Sequence, residues 1–197
     1  MKRIITVILS LAASLVVMAQ VRITTPETEL IIKADKGADL QILYFGARLS
    51  DADAANIEAA GVSGHSAYRA YGLWCASEAS LGVTHADGNL STSLKVESVM
   101  QSDVIDNSIV TKVVMKDAVY PFYVTVCYRA YQDVDMIETW TEIANLGKKP
   151  VTLTRFDSGY LPVRVGDVWL SHLHGTWAAE GLLVQEPLQR GMKVIKN

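Results

Sequence analysis

Ile109-Val110-Thr111-Lys112-Val113-Val114-Met115-Lys116, then Phe122-Tyr123-Val124-Thr125-Val126-Cys127-Tyr128-Arg129-Ala130-Tyr131, is the stretch that decides the fold. In the first run Ile109, Thr111, Val113 and Met115 alternate with Val110, Lys112, Val114 and Lys116. That period of two puts both lysines on one face of an extended strand and leaves the other face apolar. In the second run Phe122, Val124, Val126 and Tyr128 form the more apolar face. β-Branched and aromatic side chains suit such a pleated, half-buried surface.

The pattern continues on both sides. Residues 135–144 resume as a strand after a polar turn, Asn145-Leu146-Gly147-Lys148-Lys149-Pro150 reads as a loop, and Val151-Thr152-Leu153-Thr154-Arg155-Phe156 reads as strand again. Upstream, Glu29-Leu30-Ile31-Ile32-Lys33 leads into Asp35-Lys36-Gly37 and then a strand over residues 39–45. Glycine after a charged pair is turn chemistry, because it accepts positive φ without a Cβ clash. Residues 51–60 are Ala-rich, with Ser50 placed to cap and Gly61 to terminate, so one short helix is expected there. Strands joined by turns rather than crossover helices predict an all-β, mainly antiparallel sandwich with at most that one helix. No internal repeat or low-complexity linker marks a second domain.

At the N-terminus Lys2 and Arg3 precede an apolar run over residues 4–18, closed by Val17-Met18-Ala19 before Gln20. A basic start, a short apolar core and small residues at the −3 and −1 positions predict a secretory signal peptide over residues 1–19, and so an exported, periplasmic or secreted protein. The run is shorter than the roughly 18–20 residues that span a bilayer, so no membrane anchor is expected after cleavage. Removing 19 of the 197 residues leaves 178, with 16 basic against 21 acidic side chains. An acidic balance with no basic run disfavours nucleic-acid binding, which needs cationic surface to displace counterions. Half the residues are hydrophobic, enough for a full core. Cys75 and Cys127 are the two cysteines. An oxidising compartment permits a bridge between them, but the reading favoured is two free or buried thiols.

Several motifs in the C-terminal third occur in a telling order. Tyr128-Arg129-Ala130-Tyr131-Gln132-Asp133-Val134-Asp135 has a Tyr-x-x-Tyr-x-Asp-x-Asp form, and Asn145-Leu146-Gly147 and Pro150-Val151-Thr152-Leu153 follow it. His172-Leu173-His174-Gly175-Thr176-Trp177-Ala178-Ala179-Glu180 and Pro187-Leu188-Gln189-Arg190-Gly191 complete the series, with Tyr44-Phe45-Gly46-Ala47-Arg48-Leu49 near the start. Together they resemble the N-terminal domain of α-galactosidases of glycoside hydrolase family 36, over about residues 28–197 and least between 50 and 100. The resemblance implies a β-supersandwich over residues 20–197, incomplete at its C-terminal end, in an enzyme that hydrolyses terminal α-galactosyl groups of oligosaccharides. It implies a homo-oligomer when complete, and it implies no cofactor and no metal.

Family members are retaining glycosidases, whose two Asp residues sit on a following (β/α)8 barrel. Retention needs carboxyl groups about 5–5.5 Å apart, and a barrel needs roughly 250 residues. No catalytic residue is therefore assigned on this chain, which is expected to be inactive alone and poorly soluble because of unpaired sheet edges. The Ala67-Tyr68-Arg69-Ala70-Tyr71-Gly72-Leu73-Trp74-Cys75-Ala76-Ser77 segment corresponds to a family stretch near the active-site rim, but Arg69 replaces its proline and the acidic and basic residues that follow are missing. Trp74 in that segment is the one substrate-binding candidate, because a sugar's C–H face packs on an aromatic ring. The opposing reading is a tryptophan plugging the end of the sandwich. Trp140, Trp169 and Trp177 are read as core.

The remaining candidates are read as structural. Asp133 with Asp135 and Glu138 with Glu142 are taken as solvated turn and strand-face charges, and Glu180 as a structural residue of its turn. His172 and His174 share a strand face, but two ligands without a third do not make a metal site. His65 and His85 are read as isolated in polar loops, and Ser63 lacks the context of a nucleophile elbow. Asn89-Leu90-Ser91 is a glycosylation sequon only in a eukaryotic secretory pathway. Two rival functions remain open, a free-standing carbohydrate-binding module and a purely structural secreted sandwich.

Overall fold

The computed structural model describes residues 20–72, 78–163, 166–189, 191 and 193–195. Twelve described strands and one helix divide between two compact units, residues 1–162 and 163–197. In the first unit, β1 (Gln20–Thr24), β2 (Thr28–Lys33), β3 (Gln41–Ala47) and the two-residue β4 (His65–Ser66) form one antiparallel sheet in that order. A second antiparallel sheet runs β6 (Leu94–Gln101), β7 (Ser108–Asp117), β8 (Phe122–Tyr131) and β9 (Ile137–Asn145). β5 (Leu81–Thr84), between the two sheets in sequence, pairs antiparallel with β10 (Thr152–Phe156), which follows β9. The all-β, antiparallel sandwich expected from the sequence is what forms.

The alternation in β7 and β8 does what its period requires. Val113 pairs with Val126 and Met115 with Val124, and all four are buried on the inner face. Val21, Ile23, Leu30, Ile32 and Ile42 of the first sheet meet them in one core. Fully burying each such side chain contributes roughly 1.5–3 kcal/mol, so these facing rows hold the two sheets together. Lys112 and Lys116 lie on the outer face. Between β6 and β7, Asp106 and Asn107 both take positive φ (48° and 54°), the twist that a two-residue hairpin turn demands.

Helix α1 (Asp51–Ala59) falls where Ser50 and Gly61 predict it. Ser50 Oγ accepts a hydrogen bond from the Asp53 amide at 3.2 Å, filling an otherwise unpaired helix-start donor. The helix is tied to the outer face of the first sheet. Gln20 Nε2 donates to Ala54 O at 3.3 Å and Arg22 Nη1 to Asp51 Oδ1 at 2.6 Å. Glu29, with no exposed surface, accepts from Arg22 at both carboxylate oxygens and from the Leu49 amide at 3.0 Å. These bonds to the carboxylate are the main reason the Arg22 guanidinium is held protonated even more firmly than usual.

The second unit is a hairpin of β11 (Trp169–Thr176) and β12 (Ala179–Pro187). Its turn places Trp177 and Ala178 between the paired Thr176 and Ala179, with Ala178 at φ 64°. By register, Trp169 and Leu173 share one face with Leu183, while Leu170, His172 and His174 share the other with Leu182 and Val184. No described helix is long and apolar enough to cross a membrane.

Candidate functional site

Trp74, the one substrate-binding candidate, lies outside the described residues, as does Cys75. The stems around that segment are described and are fixed to each other. The Tyr71 amide donates to Leu81 O at 2.8 Å, the Ser80 and Leu81 amides donate to Arg69 O at 2.8 and 3.0 Å, and the Thr92 amide donates to Tyr71 O at 3.0 Å. Gly72 takes φ +112° with Ser91 so close that a Cβ would touch its Cα at 3.0 Å. Only glycine combines that backbone with that approach. Residues 72 and 78 are thus held on neighbouring, hydrogen-bonded stems. A groove of about 350 Å³ runs beside them, lined among others by the exposed Tyr71 and Leu90, with Glu78 and Arg155 paired at 2.5 Å.

A larger cleft, about 470 Å³, opens between β2 and β3 on one side and β8 and β9 on the other. Its floor includes Leu30, Ile42 and Tyr128, all buried, and its mouth includes Phe45 and Leu161, both about half exposed. Asp135 sits on its polar wall. The Thr25 hydroxyl donates to Asp135 Oδ1, and the Thr28 hydroxyl donates to Oδ2 at 2.7 Å. Those two bonds, Thr25 first, hold the Asp135 carboxyl below its ordinary range. The aspartate therefore ties the β1–β2 turn to the loop after β8. Asp133 is separate, with Asn107 Nδ2 at 3.5 Å. The Asp-x-Asp element is a structural clamp, and its two carboxylates do not converge.

Glu138 and Glu142 are on the outer face of the second sheet. Arg129 Nη1 pairs with Glu138 at 2.9 Å and lies over the Trp140 ring at 5.3 Å, while Lys112 pairs with Glu142 at 2.7 Å. Trp140 is thus half-buried under arginine on an outer face, and the core position expected for it does not hold. The same correction applies to Trp169, 63% exposed, and Trp177, 96% exposed. Cys127 is buried beneath this row, and burial pushes its thiol up to about 11. The expectation of a buried thiol holds for Cys127.

His85 is the other correction. It is buried rather than isolated in a polar loop, bonded through Nε2 to the Thr92 hydroxyl at 3.0 Å and stacked on Tyr120 with centroids 3.7 Å apart. His65 is exposed on β4. His172 and His174 share a face as expected, and His172 Nε2 lies 3.8 Å from Glu186, which Lys193 also engages at 2.7 Å. Among the described residues no three His, Cys, Asp or Glu side chains come together to hold a metal.

Sequence reasoning missed the cleft because its lining comes from four strands, the loop residue Asp135 and the 159–161 segment, far apart in the chain. Phe45, at an expected strand position yet half exposed, was the one local signal.

Comparisons with known proteins bear on this architecture. Among solved structures, the α-galactosidase from Lactobacillus brevis has 19% identity over 88% of this chain with a TM-score of 0.76. The α-galactosidase AgaB from Geobacillus stearothermophilus has 18% identity over 88%, with a TM-score of 0.76. A variant of AgaA from the same organism, solved with raffinose, has 19% identity over 87% and a TM-score of 0.75. In each case this chain spans 28% of the other protein, so the likeness is one of fold. Comparison with curated proteins gave no match. The sequence profile of the glycosyl hydrolase family 36 N-terminal domain matches residues 38–197, most of the chain and the whole series of motifs from Tyr44 to Gly191, and on that match the chain belongs to this family.

Proposed function

We propose that this chain is the N-terminal, non-catalytic β-sandwich part of an exported α-galactosidase that hydrolyses terminal α-galactosyl groups of oligosaccharides. The observation that carries the reading is the family match over residues 38–197. Its support is a sandwich shared with enzymes whose own chains are several times longer, one of them solved with raffinose. The rim-shaping part of the proposal rests on the resemblance of residues 67–77 to the family's stretch near the active-site rim, and Gly72 with the hydrogen-bonded Arg69, Tyr71 and Leu81 fixes the described residues that flank it. Subunit contacts in the complete enzyme and export through residues 1–19 belong to the same reading. Raffinose-type α-galactosides are the substrate class it names.

The 197-residue chain, incubated with a chromogenic α-galactoside, is expected to release no chromophore above buffer. Turnover would overturn the assignment as non-catalytic. Expressed in a Gram-negative host, the chain is expected in the periplasm with Gln20 as its first residue by mass spectrometry. An intact Met1 in the cytoplasm would remove the export part. Calorimetry with melibiose tests the carbohydrate-binding-module reading in its strict form, in which the chain alone carries function.

A further inference from the structure

Strand β1 begins at Gln20, the residue that directly follows Ala19, where the leader read over residues 1–19 ends. No residue separates the bond marked for cleavage from the first strand of the sandwich. Everything β1 contributes to the fold therefore lies within its five residues, next to that bond.

Those contributions reach the helix, the core and the other sheet. Gln20 lies opposite Lys33 and Val21 opposite Ile32 in the antiparallel ladder with β2, and Gln20 Nε2 donates to Ala54 O of α1 at 3.3 Å. Val21 and Ile23 are buried in the common core. Arg22 is the counter-ion of the fully buried Glu29 and also pairs with Asp51. Two β1 carbonyls are taken up from the other side of the sandwich. Gln101 Nε2 of β6 donates to Arg22 O at 3.3 Å, and Gln132 Nε2, just after β8, donates to Thr24 O at 2.9 Å. Although β1 is the outermost strand of its sheet, it closes the first sheet onto the second.

An enzyme that binds a peptide as an added strand needs free backbone to pair with. In the folded chain the backbone after Ala19 is already committed to β2. Each residue of extended chain spans at most about 3.3–3.6 Å, so the bond cannot be drawn away from the sheet without lifting Gln20 and Val21 out of it. Lifting β1 uncovers Val21 and Ile23 and parts Arg22 from a carboxylate that has no exposed surface.

We infer that the sandwich protects its own processing bond: Ala19–Gln20 is hydrolysed only while β1 is undocked, and a precursor that folds first keeps its leader. Hydrolysis adds water across that amide, leaving a carboxylate on Ala19 and an ammonium group on Gln20 at the start of β1. The inference rests on the reading of residues 1–19 as a cleaved leader, and it adds the order in which cleavage and folding occur.

The test is a time course of a bacterial signal peptidase on the refolded 197-residue chain in mild detergent, read by mass spectrometry, with two variants. One carries a flexible Gly-Ser spacer of about six residues between Ala19 and Gln20, which frees the bond without disturbing β1. The other, Ile23→Asp, puts a charge into the core and keeps β1 from docking. The parent is expected to be cut roughly tenfold or more slowly than either variant, because cleavage through transient opening tracks the population of the open form. A parent cut as fast as the spacer variant would overturn the inference, since the bond would then be open in the folded chain. No cut after Ala19 in either variant would overturn the leader reading itself, and the inference with it. The variants alone thus report on the leader, and the ratio of parent to variant reports on protection by β1.

Discussion

Glu29 shows how much one residue can hold. Its carboxylate is entirely buried, and its partners are the Arg22 guanidinium and the Leu49 amide. A charge taken from water at that depth is tolerated only because its counter-ion and a donor come with it. Arg22→Met removes the counter-ion and leaves the carboxylate uncompensated. The expected loss is about 3 kcal/mol of unfolding free energy, read as a lower urea midpoint with unchanged slope. A midpoint within error of the parent would show that the pair contributes nothing net. The double variant Arg22→Met with Glu29→Leu, which buries no charge, is expected to recover much of the loss.

At the scale of elements, the sandwich is stitched by loops as well as by its core. Asp135 reaches from the loop after β8 to the hydroxyls of Thr25 and Thr28, and Gln132 Nε2 donates to Thr24 O at 2.9 Å. Because the folded-state pKa of Asp135 is depressed, its contribution is fully present above the ordinary aspartate pKa. It is lost as pH falls through the lower folded value. Asp135→Asn is therefore expected to lower the denaturation midpoint at neutral pH, with the gap to the parent closing in acid. A gap that stays constant with pH would show that the carboxylate's charge is not what binds the two loops. The β5–β10 ladder rests on a different constraint. It bulges between Leu153 and Arg155, and Gly82 lies so close to the Thr154 hydroxyl that no side chain fits between them.

For the whole molecule, what matters is how much apolar surface stays uncovered. The β11–β12 hairpin exposes Trp169, Leu173, Leu182 and Leu183, with Trp177 at its tip, so large apolar side chains face water on both sides. A two-stranded hairpin is at best marginal in water, and contiguous apolar patches mark surfaces that bury against something. Alone, the chain is expected to self-associate, with light scattering giving a mass that rises with concentration and falls in Trp169→Ser with Leu173→Ser. A concentration-independent monomer would sink this expectation.

Much of the fold was legible locally. The strand over residues 122–131, the strand ending at Lys33, the turn at Gly37 and the helix between Ser50 and Gly61 all appear at or within a residue or two of their expected places. Period and turn chemistry are properties of neighbouring residues, so the chain declares them wherever it lies. The ordered motifs from Tyr44 to Gly191 likewise sufficed for the family. The tryptophans and the cleft were not legible. Whether Trp140 or Trp169 is covered, and whether His85 stays in a loop or is buried against Tyr120, depends on what part of the chain from elsewhere comes to lie over it. Alternation tells which residues share a face of a strand, and only the packing of one sheet on another decides what that face meets.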